Sequence, residues 1–381
     1  MTRSIVILGA GWTGLPLAHK LLKYTAPKTP INVTLVTPNT HFFWNVAATR
    51  GLIPGEFSED QLFLPIESGF EKYPKGSFEL VLGKADSIDG DGNTVSVELN
   101  NGSKRNVAYD QLVIATGSRL SSGLPLKSIG KHEETLASWH ALQDKVGKAK
   151  NIVVAGSGPT GVEVAGELAA KYGSKRTITI IFSGEKSLES HKSVSSSVRD
   201  VVEGDLKKLG VKIIRNKRVT STTDINGQTK LKLSDGSEII TDCYLPTFGL
   251  KTNTAFVPPK WLDSVGDISV DDYMRVTGTT NVWALGDVSS REPKQITITD
   301  NQIIYLSGAL DALLTKSETV KAYEPEKKTL IFLSFGKSYA TGQVGNWKLW
   351  AFMVSWVKGR HLFTDAAEGY VQGKKLRHSN L

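Results

Sequence analysis

Cysteine is almost absent: the chain of 381 residues has one, Cys243. A single thiol excludes an internal disulfide, a C-x-x-C redox pair and any multi-cysteine metal site. Core packing is its expected role. Histidine is also sparse, at seven residues, and His140, His191 and His361 follow no ligand spacing, so neither a metal site nor a catalytic histidine is expected. Long hydrophobic runs are missing too, since nothing approaches the roughly 20 apolar residues that cross a bilayer. Met1 to Leu8 has no basic leader, and residue 2 is Thr2 rather than the glycine an N-terminal acyl signal requires. The expectation is a cytoplasmic protein. The net charge of +8 is spread through the chain, which reads as a solvated surface and gives no specific nucleic-acid module. With 40% hydrophobic and 22% charged residues, the composition is that of a globular chain of two or three domains.

Glycine, by contrast, is plentiful, and it clusters at turns. Ser4 to Leu8 is a short β-branched run suited to a buried parallel strand, and Gly9-Ala10-Gly11-Trp12-Thr13-Gly14 follows at once. An apolar-periodic helix through Leu15, Leu17, Ala18, Leu21 and Leu22 comes next, then a strand from Ile31 to Val36. Strand, glycine turn, helix and strand make one βαβ unit, in which backbone N–H groups and a helix N-terminus face a pyrophosphate. The order recurs at Asn151 to Ala155, Gly156-Ser157-Gly158-Pro159-Thr160-Gly161, a helix through Val162, Val164, Ala165 and Leu168, and a strand from Thr177 to Phe182. One such motif is weak, but here each copy has its strand before and its helix after.

A second repeat accompanies the first. Thr94 to Leu99 and Lys104 to Val107 flank Asn101-Gly102, while Lys230 to Leu233 and Glu238 to Ile240 flank Asp235-Gly236. Both read as β-hairpins. Each runs into a strand ending in glycine, Tyr109 to Gly117 and Thr241 to Gly249, whose last residues pass near the nucleotide of their own unit. Thr116, Gly117 and Gly249 are therefore candidate cofactor contacts, and Ala85, ahead of the first hairpin, joins them. The fold class is α/β: two Rossmann-like dinucleotide-binding domains, each with a β-hairpin crossover, plus a small C-terminal α+β region. The expected limits are 1–118 with 252–322 for the first domain, 119–251 for the second and 323–381 for the last region.

These glycine turns, with Asn281-Val282-Trp283-Ala284-Leu285-Gly286-Asp287, resemble the two-dinucleotide-binding-domain flavoproteins. The segments His41 to Arg50, Pro159 to Leu168, Gly286 to Lys294 and Tyr323 to Phe363 narrow the resemblance to the apoptosis-inducing-factor-like branch that includes the ferroptosis suppressors. The resemblance implies FAD on the first unit, held by Gly9, Gly11, Trp12, Thr13, Gly14, Asn45, Arg50, Gly286 and Asp287. Asp287 would bond the ribityl chain, and Arg50 would meet a phosphate or the flavin edge. It also implies NADH or NADPH on Gly156, Gly158, Pro159, Thr160 and Gly161, with Glu163 near the nicotinamide. Glu167, one turn on, is expected to pair with Lys171.

Two departures bear on the cofactors. FAD folds commonly end the second strand in an acid for the ribose, whereas this chain has Thr37. In the second unit the strand ends at Phe182-Ser183-Gly184, and the nearest acid is Glu185. If Glu185 points away, nothing repels a 2′-phosphate, and Lys186 or Lys192 attracts one, so NADPH is expected to serve at least as well as NADH.

Without a cysteine pair, electrons must pass directly from flavin to the acceptor. The expected reaction is hydride transfer from nicotinamide to flavin, then reduction of a quinone-like small molecule. Lys294, before a helix read from Gln295 to Leu314, is expected to assist the helix start in stabilising reduced flavin. In the tail, Leu349, Phe352, Met353 and Trp356 recur at helical spacing among Lys348, Lys358, Arg360 and His361. The core, a second subunit, a membrane interface over 347–360 and a quinone-site wall are alternatives for what this segment meets. The resemblance implies a quinone path there, lined by Lys358 and Phe363. A flavin-dependent tailoring oxidase or monooxygenase and a nucleic-acid-binding death effector are the competing functions.

Overall fold

The structure is a computed structural model and describes residues 2–315 and 320–376. Met1, residues 316–319 and residues 377–381, at or near the ends of the expected regions, lie outside the described residues, as does the side chain of Val357.

Two parallel sheets carry the glycine turns. In the first, Arg3–Leu8 lies between Ile31–Thr37 and Gln111–Ile114. Its four residues Ile5 to Leu8 are buried on both faces, which is why the strand reads as an unbroken apolar run. Phe78–Asp89 extends the sheet beside Ile31–Thr37 and bends through a register shift between Ala85 and Ser87 into the antiparallel strands Thr94–Leu99 and Lys104–Ala108. Val282–Ala284 then returns from far along the chain to pair in parallel with Gln111–Ile114. That return places Gly286 and Asp287 beside the first glycine turn.

The second sheet runs in the order Lys212–Ile214, Thr177–Ile181, Asn151–Ala155, Cys243–Pro246, all parallel. Its hairpin is a separate antiparallel sheet of Val219–Ile225, Gln228–Leu233 and Glu238–Thr241. Cys243 is fully buried on the return strand that ends this sheet, and burial pushes the thiol up to about 11. It is an inert packing residue.

A third antiparallel sheet, Leu330–Phe335, Tyr339–Val344 and Trp347–Leu349, belongs to the C-terminal region. Here the expected helix over the tail is corrected. Leu349 lies on a strand paired with Gly342, and helical backbone begins only at Ala351. The alternation of Trp347, Lys348 and Leu349 suits an edge strand as well as a helix. Beyond it the chain folds back over the first unit. His19 is sandwiched there, stacked on Phe70 at 4.0 Å and hydrogen-bonded through Nε2 to the Val371 carbonyl. Burial holds its pKa down at about 3, so it is neutral.

Candidate active site

The glycines of the two turns divide into three kinds by what surrounds them. Gly9 and Gly156 have φ of +102° and +109°, which L side chains adopt only with strain. Gly14 and Gly161 are packing positions, because a Cβ on either would lie 1.9 Å from the carbonyl oxygen of Gly9 or Gly156 respectively. Gly11 and Gly158 face open space: a Cβ at Gly11 would meet nothing within 4 Å, and one at Gly158 would meet only His191 Cε1 at 3.9 Å.

That open space is one cavity of about 1550 Å³, reached by both turns. It exceeds the roughly 300–1,000 Å³ of drug-sized ligand sites. A cavity edged by two strand–turn–helix cradles with room at Gly11 and Gly158 fits two dinucleotides end to end. All the sequence-derived candidates line it except Gly14, Gly161, Arg50, Lys192 and Phe363.

Within the cavity, Trp12 fills the middle of the first turn. Its indole donates to Asn45 Oδ1 at 2.7 Å and packs on Phe42, Trp44 and Tyr370, so a bulky residue in a tight turn is accommodated by the C-terminal segment. Thr37 lines the wall where an acid is common, and its hydroxyl accepts from the Asn39 amide at 3.2 Å. Asp287 accepts from Ser118 Oγ and, at 2.7 Å, from Lys127 Nζ. Burial alone pushes the Asp287 carboxyl up, but Lys127, Ser118 and Lys294 outweigh it and hold the group below the usual carboxylate range.

Glu163 and Lys358, far apart in sequence, form a buried ion pair at 2.6 Å. The same carboxylate oxygen accepts from the Ser334 amide at 3.0 Å, and the ammonium also donates to the Phe332 carbonyl at 2.9 Å. This joins the helix Pro159–Tyr172 to the C-terminal sheet and tail at the cavity wall. Lys294, just before the helix Ile296–Thr315, is paired with Asp267.

Arg50 is placed elsewhere. It is buried, with Nε and one terminal nitrogen on the two carboxylate oxygens of Glu167 at 2.7 and 3.0 Å and further bonds to the Gly336 and Arg360 carbonyls. Its donors are directed at protein, not at the cavity. Glu167 is therefore not the partner of Lys171, which pairs with Glu56. Burial pushes the Glu167 carboxyl up, against the pull of Arg50.

At the far end, Glu185 does not line the cavity, but Glu189 does, together with Lys186, Lys217 and Arg218. Lys186 is paired with Asp200 and Lys217 with Asp235; Lys192 lies outside the lining. Lys127, Ser118, Glu189 and Arg218 went unnoticed in the sequence because none belongs to a glycine motif.

Residues 3–302 match the family described as pyridine nucleotide-disulphide oxidoreductase. The oxidoreductase ptaL of Pestalotiopsis fici is 38% identical, over 98% of this chain and all of that protein. Ferroptosis suppressor protein 1 of Xenopus tropicalis is 27% identical, over 95% of this chain and 94% of that one. Among solved structures, the sulfide:quinone oxidoreductase of Aquifex aeolicus superposes with a TM-score of 0.78 at 19% identity, over 99% of this chain and 93% of that one.

Proposed function

The chain belongs to the pyridine nucleotide-disulphide oxidoreductase family, and from that premise we propose that it passes reducing equivalents from NADPH or NADH through FAD to a quinone or similar small acceptor. It is an NAD(P)H-dependent flavin oxidoreductase; the acceptor is our reading. The observation that carries it is the single cavity shared by both glycine turns, with Asp287 at one unit and the Glu163–Lys358 pair at the other. The reaction balances as NAD(P)H plus a proton plus quinone giving NAD(P)+ plus quinol. Bound flavin supplies the two-electron relay.

The protein supplies position and charge. In this reading residues 1–118 and 252–322 hold FAD, 119–251 hold the nicotinamide nucleotide and 323–381 form the acceptor side. The glycine turns present backbone N–H groups to the two pyrophosphates. Thr37 offers a hydroxyl in place of an acid at the first ribose. Glu163, held by Lys358 and the Ser334 amide, orients the nicotinamide end, and the pairing keeps this wall neutral overall. The start of the helix at Ile296 lines the cavity, and its N–H groups, with Lys294 nearby, favour negative charge on reduced flavin.

The experiment is an anaerobic spectrum of the purified chain, then reduction by each nucleotide and reoxidation by a short-chain benzoquinone. A yellow protein bleached by NADPH at least as readily as by NADH, yielding one quinol per nucleotide, is expected. A colourless protein that takes up no FAD defeats the whole reading. A strong NADH preference defeats the nucleotide assignment, and incorporation of oxygen into a metabolite product favours the tailoring-enzyme alternative.

We assign the tail to a membrane interface. Trp347, Trp350, Phe352, Met353 and Trp356 are exposed within ten residues, Trp347 at 81%, beside Lys348 and Arg360. Among the described residues no helix is long and apolar enough to span a bilayer, whereas aromatic and cationic side chains suit its interface. Vesicles containing anionic lipid are expected to pellet the chain, and serine at the four exposed aromatic positions to abolish it. Equal pelleting of both forms rejects the assignment.

A further inference from the structure

The segment 121–131 joins the two nucleotide units, running from the strand Ser118–Leu120 to the helix His132–Lys148. It is also a wall of the cavity, through Leu126, Lys127, Ser128, Ile129 and Gly130. Lys127 is the charged member of that wall. Its ammonium donates to Asp287 Oδ2 at 2.7 Å and to Ser118 Oγ at 2.6 Å, and the serine hydroxyl donates in turn to the same Oδ2. The three groups form a closed ring, with one residue each from the connector, the strand before it and the returning Gly286–Asp287 turn.

Both bonds to the carboxylate fall on Oδ2, so Oδ1 has no hydrogen-bond partner among the described residues and is left to accept from a hydroxyl group in the cavity. A carboxylate lining a largely buried wall would be drawn towards its neutral form, which has one fewer accepting site; the adjacent ammonium prevents that. The connector is further fastened by Asn39 Nδ2 to the Gly130 carbonyl at 3.1 Å and by Lys131 Nζ to the Asn100 carbonyl at 2.7 Å. Its position over the cavity is thus fixed from the first unit.

We infer that Lys127 is a positioning residue for FAD: it orients Asp287 towards the cofactor's polyol chain and locks the connector over it, so that flavin occupancy and the order of residues 121–131 rise and fall together. This rests on the flavoprotein reading above.

The test uses the full chain stripped of flavin, with FAD affinity read by quenching of flavin fluorescence and connector order read by amide hydrogen exchange. Lys127→Met is expected to weaken FAD binding by roughly 10- to 100-fold, the range for losing a charge-assisted contact. Lys127→Arg is expected to recover most of it. FAD is expected to slow exchange over 121–131 in the wild type and in Lys127→Arg, and to do so far less in Lys127→Met at the same occupancy. Affinity within twofold of wild type in Lys127→Met overturns the inference. So does a Lys127→Arg variant as weak as Lys127→Met, or a wild-type connector whose exchange ignores FAD. Failure of the wild type to bind FAD at all would instead remove the underlying flavoprotein reading.

Discussion

Gly158→Val is expected to purify yellow yet resist reduction, with kcat/KM for NADPH lowered at least about 100-fold, while Gly11→Val is expected to purify without flavin. The effect is steric and separates ligand from fold. Neither glycine has a positive φ, and a Cβ at either position enters open cavity. Valine is therefore tolerated by the backbone, and its methyl groups occupy the space where a pyrophosphate must approach the turn. Melting temperatures of the flavin-free forms should match within about 3 °C, as for substitutions that leave the core untouched. Gly14→Val and Gly161→Val are the contrasting pair: their side chains would collide with backbone 1.9 Å away, so they should fail to fold. If Gly158→Val is reduced at the wild-type rate, or Gly11→Val retains its flavin, the cavity has been assigned to the wrong ligands.

The parts of this architecture that were legible in sequence are those whose physics is local. A glycine turn needs its glycines within six residues, a buried parallel strand shows as a short β-branched run, and a hairpin announces itself by Asn101-Gly102 or Asp235-Gly236. The return of Val282–Ala284 to the first sheet, by contrast, was implied only by the resemblance that the segment through Gly286-Asp287 carries, not by any local signal. What sequence could not show is which charges meet. Glu163 and Lys358 were separate candidates until the C-terminal sheet brought them to 2.6 Å. Lys127 sits in a connector with no motif, and only the fold places it on Asp287. Glu167 illustrates the limit most clearly, because four-residue spacing on a helix made Lys171 a reasonable partner, yet a buried carboxylate needs more donors than one exposed lysine provides. Arg50 supplies two and removes itself from the cofactor site in doing so.

That pairing yields a large stability effect in its own right. Arg50 and Glu167 are 2% and 1% exposed, and the guanidinium ties together the short helix Ala48–Gly51, the helix Pro159–Tyr172, the turn at Gly336 and the tail at Arg360. Arg50→Met leaves a carboxylate buried without its cation and two carbonyls without their donor. Breaking such a pair from one side costs about 3–5 kcal/mol, which should lower the melting temperature of the flavin-loaded chain by roughly 4–6 °C at this chain length. Arg50→Lys keeps the charge but not the two-pronged geometry and should fall between. Adding Glu167→Gln to Arg50→Met removes the stranded charge, so the double variant should melt above Arg50→Met. Flavin content decides between the two roles considered for this arginine. At a temperature where Arg50→Met remains folded, it should hold FAD with wild-type stoichiometry, because no donor of Arg50 faces the cavity. A variant that melts like wild type but loses its flavin would restore Arg50 to the cofactor site.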